Sequence, residues 1–152
     1  MPIDIGIDFE GLEKLAKPTL VPDGTYETVI EKVDDSPVKQ TGRPQWRFSL
    51  KIVNRMEAEL QNKMVFVYAQ LPWIDPATQQ WDYSFTFTLV DIVKGTGMQV
   101  VGTQIPDPEA FIGRGLIVVV GNQKRKGTES DADPIYDNTV KIVRKKGGGL
   151  VS

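Results

Sequence analysis

The sequence predicts a mainly β protein of five strands, with one helix inserted between the third and the fourth. Three observations predict it. Along Gln45–Val53, Trp46, Phe48, Leu50 and Ile52 alternate with Gln45, Arg47, Ser49 and Lys51. Side chains on a strand project to opposite faces with a period of two, so this segment is a half-buried strand. Other short runs rich in β-branched or aromatic residues are bounded by Gly, Pro, Asn and Asp, the punctuation of a sheet protein. Finally, Ser84–Lys94 carries a helical stripe and ends on a lysine followed by Gly95 and Gly97, the signature of a helix C-terminus.

The elements follow in order. Residues 1–20 form an acidic lead-in, in which Asp4, Asp8, Glu10 and Glu13 precede the first base, Lys14. Phe9, Leu12 and Leu15 can line one side of a short helix ending before Pro18. A helix that short is marginal in water, so a docked or loosely ordered segment is expected. The folded domain spans 21–145. Pro22-Asp23-Gly24 is a turn, and Thr25–Asp34 is a strand carrying Thr28, Val29, Ile30 and Val33. Asp35–Pro44 is a polar loop, Gln45–Val53 the second strand, and Asn54–Asn62 a connector with room for a turn of helix. Lys63–Leu71 is a third strand, nearly all apolar or aromatic.

Pro72–Tyr83 reads as a loop dense in aromatics, with Trp73, Trp81 and Tyr83 around an Asp75-Pro76 turn. Ser84–Lys94 reads two ways. Phe85, Phe87 and Leu89 alternate like a strand, whereas Phe85, Leu89, Ile92 and Val93 make a helical stripe. The cation and glycines at its end favour the helix. Pro106–Ile112 suggests a second helical turn, Leu116–Gly121 a buried strand, Gly127–Asp133 an acidic loop and Tyr136–Arg144 the last strand. The tail, 146–152, with Gly147-Gly148-Gly149, is expected to be disordered.

Composition excludes several function classes. At 152 residues the chain fits one domain, which buries about 70% of its unfolded surface and needs no staple. It has no cysteine and no histidine. That removes disulfides, thiolate zinc, cysteine nucleophiles, serine triads and the commonest general base, and suits a reducing cytosol. No apolar run approaches the roughly 20 residues of a membrane helix, and Met1–Gly6 does not read as a signal peptide. The expectation is a cytoplasmic protein with no membrane partner. A formal charge of −2 argues against bulk electrostatic binding of duplex DNA. Residues 41–152, however, hold fourteen Lys or Arg against eleven acids, and local patches matter more than the sum.

A helix between the third and fourth strands of a five-stranded chain matches the OB-fold, a Greek-key barrel. An open antiparallel sandwich is the rival, and it needs Ser84–Lys94 to be a strand. In an OB-fold, the face of strands two and three and the loops beside it bind oligonucleotides or oligosaccharides. Single-strand binding needs cations that track phosphates and exposed rings on which bases stack. The candidate cations are Arg43, Arg47 and Lys51 on and before the second strand. Lys124, Arg125 and Lys126 join them from the loop between the last two strands, with Lys141 on the final strand. Lys124–Lys126 also read as a solvated loop tip.

The candidate stacking residues are Tyr68, Trp73, Trp81, Tyr83 and Tyr136. Trp73 and Trp81 equally suit a small core capping the barrel end, and Tyr136 suits a structural role at a strand start. Tyr68 faces the groove, with Phe66, only if Val65, Val67 and Ala69 face the core; a nearly all-apolar strand does not reveal its register. Trp46 and Phe48 are assigned to the core. Catalysis has little support, and no cofactor is expected. Asp34-Asp35 and Asp131 with Asp133 could hold Mg²⁺ as carboxylate pairs, but they sit in loops where solvated turn acids are commonplace. Gly147-Gly148-Gly149 lacks the Lys-Ser/Thr of a phosphate loop, and Gly95-Thr96-Gly97 is too short for a dinucleotide fingerprint.

Four features occur in a familiar order. Val21-Pro22-Asp23-Gly24-Thr25-Tyr26 enters a strand; Thr41-Gly42-Arg43-Pro44 precedes Trp46-Arg47-Phe48; Phe111-Ile112-Gly113-Arg114 precedes a Val-rich strand; Tyr136-Asp137-Asn138 leads into Val140-Lys141. Over roughly residues 20–145 the chain thereby resembles the small OB-fold single-stranded DNA-binding proteins of bacteriophage replication and recombination modules. The resemblance implies sequence-tolerant coating of single strands in the cytoplasm of an infected host, without catalytic residues. The implied partners are single-stranded DNA, with RNA a further candidate, a second copy of the chain, and phage or host replication and recombination proteins. One departure is the C-terminus, which is basic and then Gly-rich where many single-strand binders end acidic. The competing expectation is an OB-like interaction or structural module that docks a partner protein through its aromatic loop, since Tyr and Trp are enriched at protein interfaces too.

Overall fold

The computed structural model describes residues 2–15, 20–100, 102–132 and 136–144. The chain forms α1 (Phe9–Leu15), β1 (Gly24–Asp35), β2 (Gln45–Val53), β3 (Met64–Gln70), β4 (Trp73–Ile74), β5 (Trp81–Asp82), α2 (Phe87–Thr96), α3 (Pro108–Phe111), β6 (Gly115–Lys124) and β7 (Tyr136–Val143). Five strands make one antiparallel sheet in the order β3-β2-β1-β6-β7, and β4 pairs with β5 in a separate ribbon. The expected mainly β, five-stranded architecture is present, but the sheet does not close into a barrel. β3 approaches β7, but the two are not paired in the sheet, which remains open at that seam.

The core lies on the sheet's inner face. Ile30 of β1, Phe48, Leu50 and Ile52 of β2, Val65, Val67 and Ala69 of β3, and Leu116, Val118 and Val120 of β6 are all buried. Each set sits at alternate positions, as a strand with one face on a core requires. Helix α2 covers the core with Leu89 and Ile92 and packs on β3, β6 and β7. Short α3 contributes Phe111, fully buried, whose ring meets Phe48 edge-on at 5.4 Å and Trp46 at 6.0 Å, the geometry that aromatic quadrupoles favour.

Local chemistry explains the ends of these elements. β1 bulges between Ile30 and Lys32, which lets its upper half leave β6. Beyond that point the Ile30 amide donates to Arg114 O, and the Gly113 amide donates to Ile30 O, at 2.9 and 2.8 Å. Gly113 meets this with φ +87°, a conformation open to glycine. Helix α2 stops at Gly97, which is left-handed and donates to Lys94 O, as a C-terminal glycine does. Gly95, expected beside it as part of the stop, lies inside the helix. A Cβ there would stand 2.6 Å from Leu116 Cδ1 and 3.1 Å from the Val143 carbonyl oxygen. Its missing side chain lets helix and sheet touch.

Two further expectations change. The segment Pro72–Tyr83 is not a plain loop but contains the β4–β5 ribbon, closed by Asp75, whose amide donates to Gln80 O at 2.9 Å. Ser84–Lys94 is helical only from Phe87. Phe85 precedes the helix with φ +61° and is exposed, so it takes no part in the apolar stripe. The Thr86 hydroxyl donates back to Tyr83 O at 2.7 Å instead of capping the helix. The C-terminal tail lies outside the described residues. No helix among the described residues is long and apolar enough to cross a membrane.

Candidate nucleic-acid interface

The outer face of β1, β2 and β3 collects polar and aromatic side chains that alternate with the buried ones. With Val65, Val67 and Ala69 buried, Phe66 and Tyr68 point outward and are 46% and 50% exposed. Arg47 pairs across with Tyr68 on one side and Asp34 on the other, and Ser49 pairs with Phe66. The Arg47 guanidinium carbon stands 5.0 Å from the Phe66 ring centroid, a cation–π contact. A cation and two exposed rings therefore share adjacent strands.

The cations of this face are neutralised locally. Arg47 Nη2 and Lys32 Nζ each lie 3.5 Å from an Asp34 carboxylate oxygen, and Lys51 Nζ lies 3.5 Å from Glu31 Oε2. These pairs are solvent-exposed, where an ion pair contributes about 0–1 kcal/mol and readily exchanges partners. Ser49 is buried between its neighbours, so the polar side of β2 is itself partly covered.

At the end of β3, Gln70 opens on a cleft of about 310 Å³ lined by Val38, Arg43, Trp73, Asp82 and Phe85. Arg43 corrects an expectation. It is 4% exposed and therefore does not present its charge to a phosphate. Its Nε donates to Leu71 O at 3.1 Å, its Nη1 to Asp82 Oδ2 at 3.4 Å, and its Nη2 to the carbonyls of Asp82 and Ser84. The planar guanidinium thus ties the β1–β2 loop to the end of β3 and to the ribbon. Asp82 is held below the usual carboxylate value of 3.8, first by the Ser84 hydroxyl and amide and then by the Arg43 charge. The indole of Trp73 adds to that effect, although its buried Nε1 makes no hydrogen bond of normal geometry.

The ribbon sorts its aromatics by face. Trp73 pairs with Asp82, and Ile74 pairs with Trp81. Asp82 faces Arg43, and Trp73 is half-buried beside it. Of the two tryptophans expected to stack bases, Trp73 therefore is the half-buried one, lining the cleft beside Arg43. Trp81 and Tyr83 point the other way, 57% and 64% exposed, with parallel rings 6.0 Å apart.

The remaining predicted residues lie elsewhere. Gly24 pairs with Val120 and Val29 with Gly115, so β6 runs out past the N-terminal end of β1. The β6–β7 loop therefore leaves the sheet at the end of β1 opposite the β1–β2 loop. Lys124 and Lys126 are exposed there, but Arg125 is paired with Asp137 at 2.6 Å. That pairing lowers the Asp137 carboxyl and raises the guanidinium. Tyr136 pairs with Lys124, and Lys141 with Val119, three strands away from Arg47. Among the described residues no group of three acidic side chains is placed to hold a metal ion, and Asp133 lies outside them.

Sequence reasoning missed Phe85 as a surface residue and named Asn138 only as part of the stretch leading into the last strand, with no structural role. Phe85 has a signal: its alternation with Phe87 breaks the helical stripe. Asn138 has none. Its side chain accepts from the Val21 amide at 2.9 Å and donates to Val21 O at 2.8 Å, as a paired strand backbone would.

This fold and this surface define a class: a mainly β protein with a five-stranded antiparallel sheet, little helix, and an outer face that sets ion-paired cations beside exposed rings. The chain belongs to the family described as protein of unknown function (DUF669), which matches residues 12–146. No curated protein matches it.

Proposed function

We propose that the protein binds single-stranded nucleic acid, DNA first, on the outer face of β1–β3, and that its sheet is a partly open OB-fold. The observation that carries this reading is the placement of Arg47 against exposed Phe66 and Tyr68, on strands leading to the aromatic ribbon. Such a surface supplies both requirements, a cation for the backbone and rings for the bases. The fold half of the reading is supported by the pairing order. The helix falls between the third and fourth long strands, and β3 lies beside β7 at the open seam, as a partly open Greek-key barrel requires. Phosphates displace Asp34 and Glu31 from Arg47 and Lys51, while bases stack on Phe66, Tyr68 and the ribbon. A role in phage DNA replication or recombination is the further part of this proposal, supported by the resemblance of residues 20–145.

Fluorescence titration with oligo-dT at several salt concentrations, against a duplex control, tests the reading. Single strands alone quench tryptophan emission, and the double variant Arg47→Glu, Lys51→Glu abolishes binding without unfolding the protein. Affinity that survives this charge reversal refutes the proposed groove. The second reading, a protein-docking module, draws on the exposed apolar run of Ile74, Trp81, Tyr83, Phe85, Phe87 and Val90. It is favoured if oligo-dT fails to bind and Trp81→Ala removes a protein partner.

A further inference from the structure

We propose that Trp81 and Tyr83 form a slot that takes one unpaired nucleobase between their rings. The inference rests on the single-strand reading and adds to it a second, separate contact point on the ribbon. Trp81 and Tyr83 are two residues apart on an extended segment, so their side chains leave the same side about 6.6–6.8 Å apart. Their planes are within 9° of parallel, and their centroids are 6.0 Å apart. A planar base that touches both rings needs about 7 Å, twice the optimal carbon–carbon separation. To admit one, the two parallel rings come into face-to-face register with their planes about 7 Å apart.

The surroundings favour a bound base over simple ring–ring packing. Trp81 and Tyr83 each keep more than half of their residue surface exposed. Asp82, the residue between them, is turned to the opposite face and held there by Arg43 and Ser84, so its carboxylate does not repel the nucleotide from within the slot. Arg43 also grips the carbonyls on either side of Tyr83, those of Asp82 and Ser84, which fixes the direction of that ring. The preceding half of the ribbon is anchored at the Asp75 turn, where the Ala77 amide donates to Asp75 Oδ1 at 2.8 Å. Walls made only of ring faces select for planarity rather than for one base, since every base has a π-face.

The test compares oligo-dT with an abasic deoxyribose-phosphate chain of equal length, using the full chain and the variants Trp81→Phe, Trp81→Leu and Trp81→Leu with Tyr83→Leu. Oligo-dT is expected to quench the wild-type tryptophan emission, and the abasic chain is expected to leave it unchanged. Trp81→Leu weakens oligo-dT binding by about tenfold, the loss of one stacked base, whereas Trp81→Phe keeps most of the affinity. Unchanged far-ultraviolet circular dichroism confirms that the exposed substitutions leave the fold intact. If the double leucine variant binds oligo-dT like the wild type while Arg47→Glu with Lys51→Glu loses it, the slot is wrong and the sheet groove stands. If the wild type binds no oligo-dT, the single-strand reading fails and the slot fails with it.

Discussion

At the scale of single residues, the frame of the proposed interface rests on a cation that is itself buried. Arg43 is buried, satisfied by two other stretches of chain and paired with a half-buried carboxylate. Removing a charged hydrogen-bonding partner of this kind costs about 1.5–3 kcal/mol. Arg43→Ala should lower the urea midpoint accordingly and change the near-ultraviolet dichroism of the ribbon tryptophans. Arg43→Lys should recover little of the loss, because an ammonium cannot reproduce the planar fork. The two depressed carboxyls give a pH prediction. Asp82 and Asp137 have folded pKa values below 3.8, so the stability they contribute is complete above that pH. It is lost as pH falls through their depressed values. Unfolding midpoints measured from pH 6 down to about pH 2 should show this acid limb. Asp82→Asn and Asp137→Asn should flatten it.

At the scale of elements, α2 is fitted to the sheet through Gly95. Alanine is the better helix former by about 1 kcal/mol. Here its methyl group meets Leu116, Ile142 and the Val143 carbonyl, and overpacking of a tight core costs about 1–3 kcal/mol. Gly95→Ala should therefore lower the melting temperature, although the same change on an exposed helix raises it. Gly97→Ala should also destabilise, for a different reason: φ +76° is a left-handed conformation in which a Cβ is strained. The ribbon follows an equally local rule. Its alternation sends Trp73 and Asp82 inward and Trp81 outward, so tryptophans eight residues apart in the sequence have opposite fates.

At the scale of the whole molecule, the sheet is paired from β3 to β7 and open between them. β1 has neighbours on both sides, whereas β3 and β7 are edges. Native-state hydrogen exchange should protect the amides of β1 most strongly and leave the outward-pointing amides of β3 and β7 less protected. Equal protection on both edges would mean that the barrel closes in solution. Electrostatics belongs to this scale too. With a formal charge of −2, the proposed binding draws on a local patch whose cations are already paired. Affinity for single strands should fall with salt at a log–log slope of about −0.7 per phosphate neutralised. The Arg47→Gln variant should make that slope shallower by about one contact.

Much of this architecture was legible along the chain, because period-two alternation and turn residues are properties of a few neighbouring positions. The strand Gln45–Val53 appears with those same bounds, and each of the other four strands of the main sheet lies within a few residues of its expected range. What stayed illegible depends on residues far apart in sequence. The register of β3 could not be read from Met64–Tyr68, where nearly every side chain is apolar; burial of Val65, Val67 and Ala69 against α2 and the core settles it. Arg43 looked like a surface cation because its acceptors, Leu71, Asp82 and Ser84, lie 28 to 41 residues away. Trp73 and Trp81 were equivalent in composition until a two-residue pairing turned one inward. Local stereochemistry reveals strands and turns because it acts between neighbours. Burial of a charge or a ring, by contrast, is decided by long-range packing, which no short window of sequence contains.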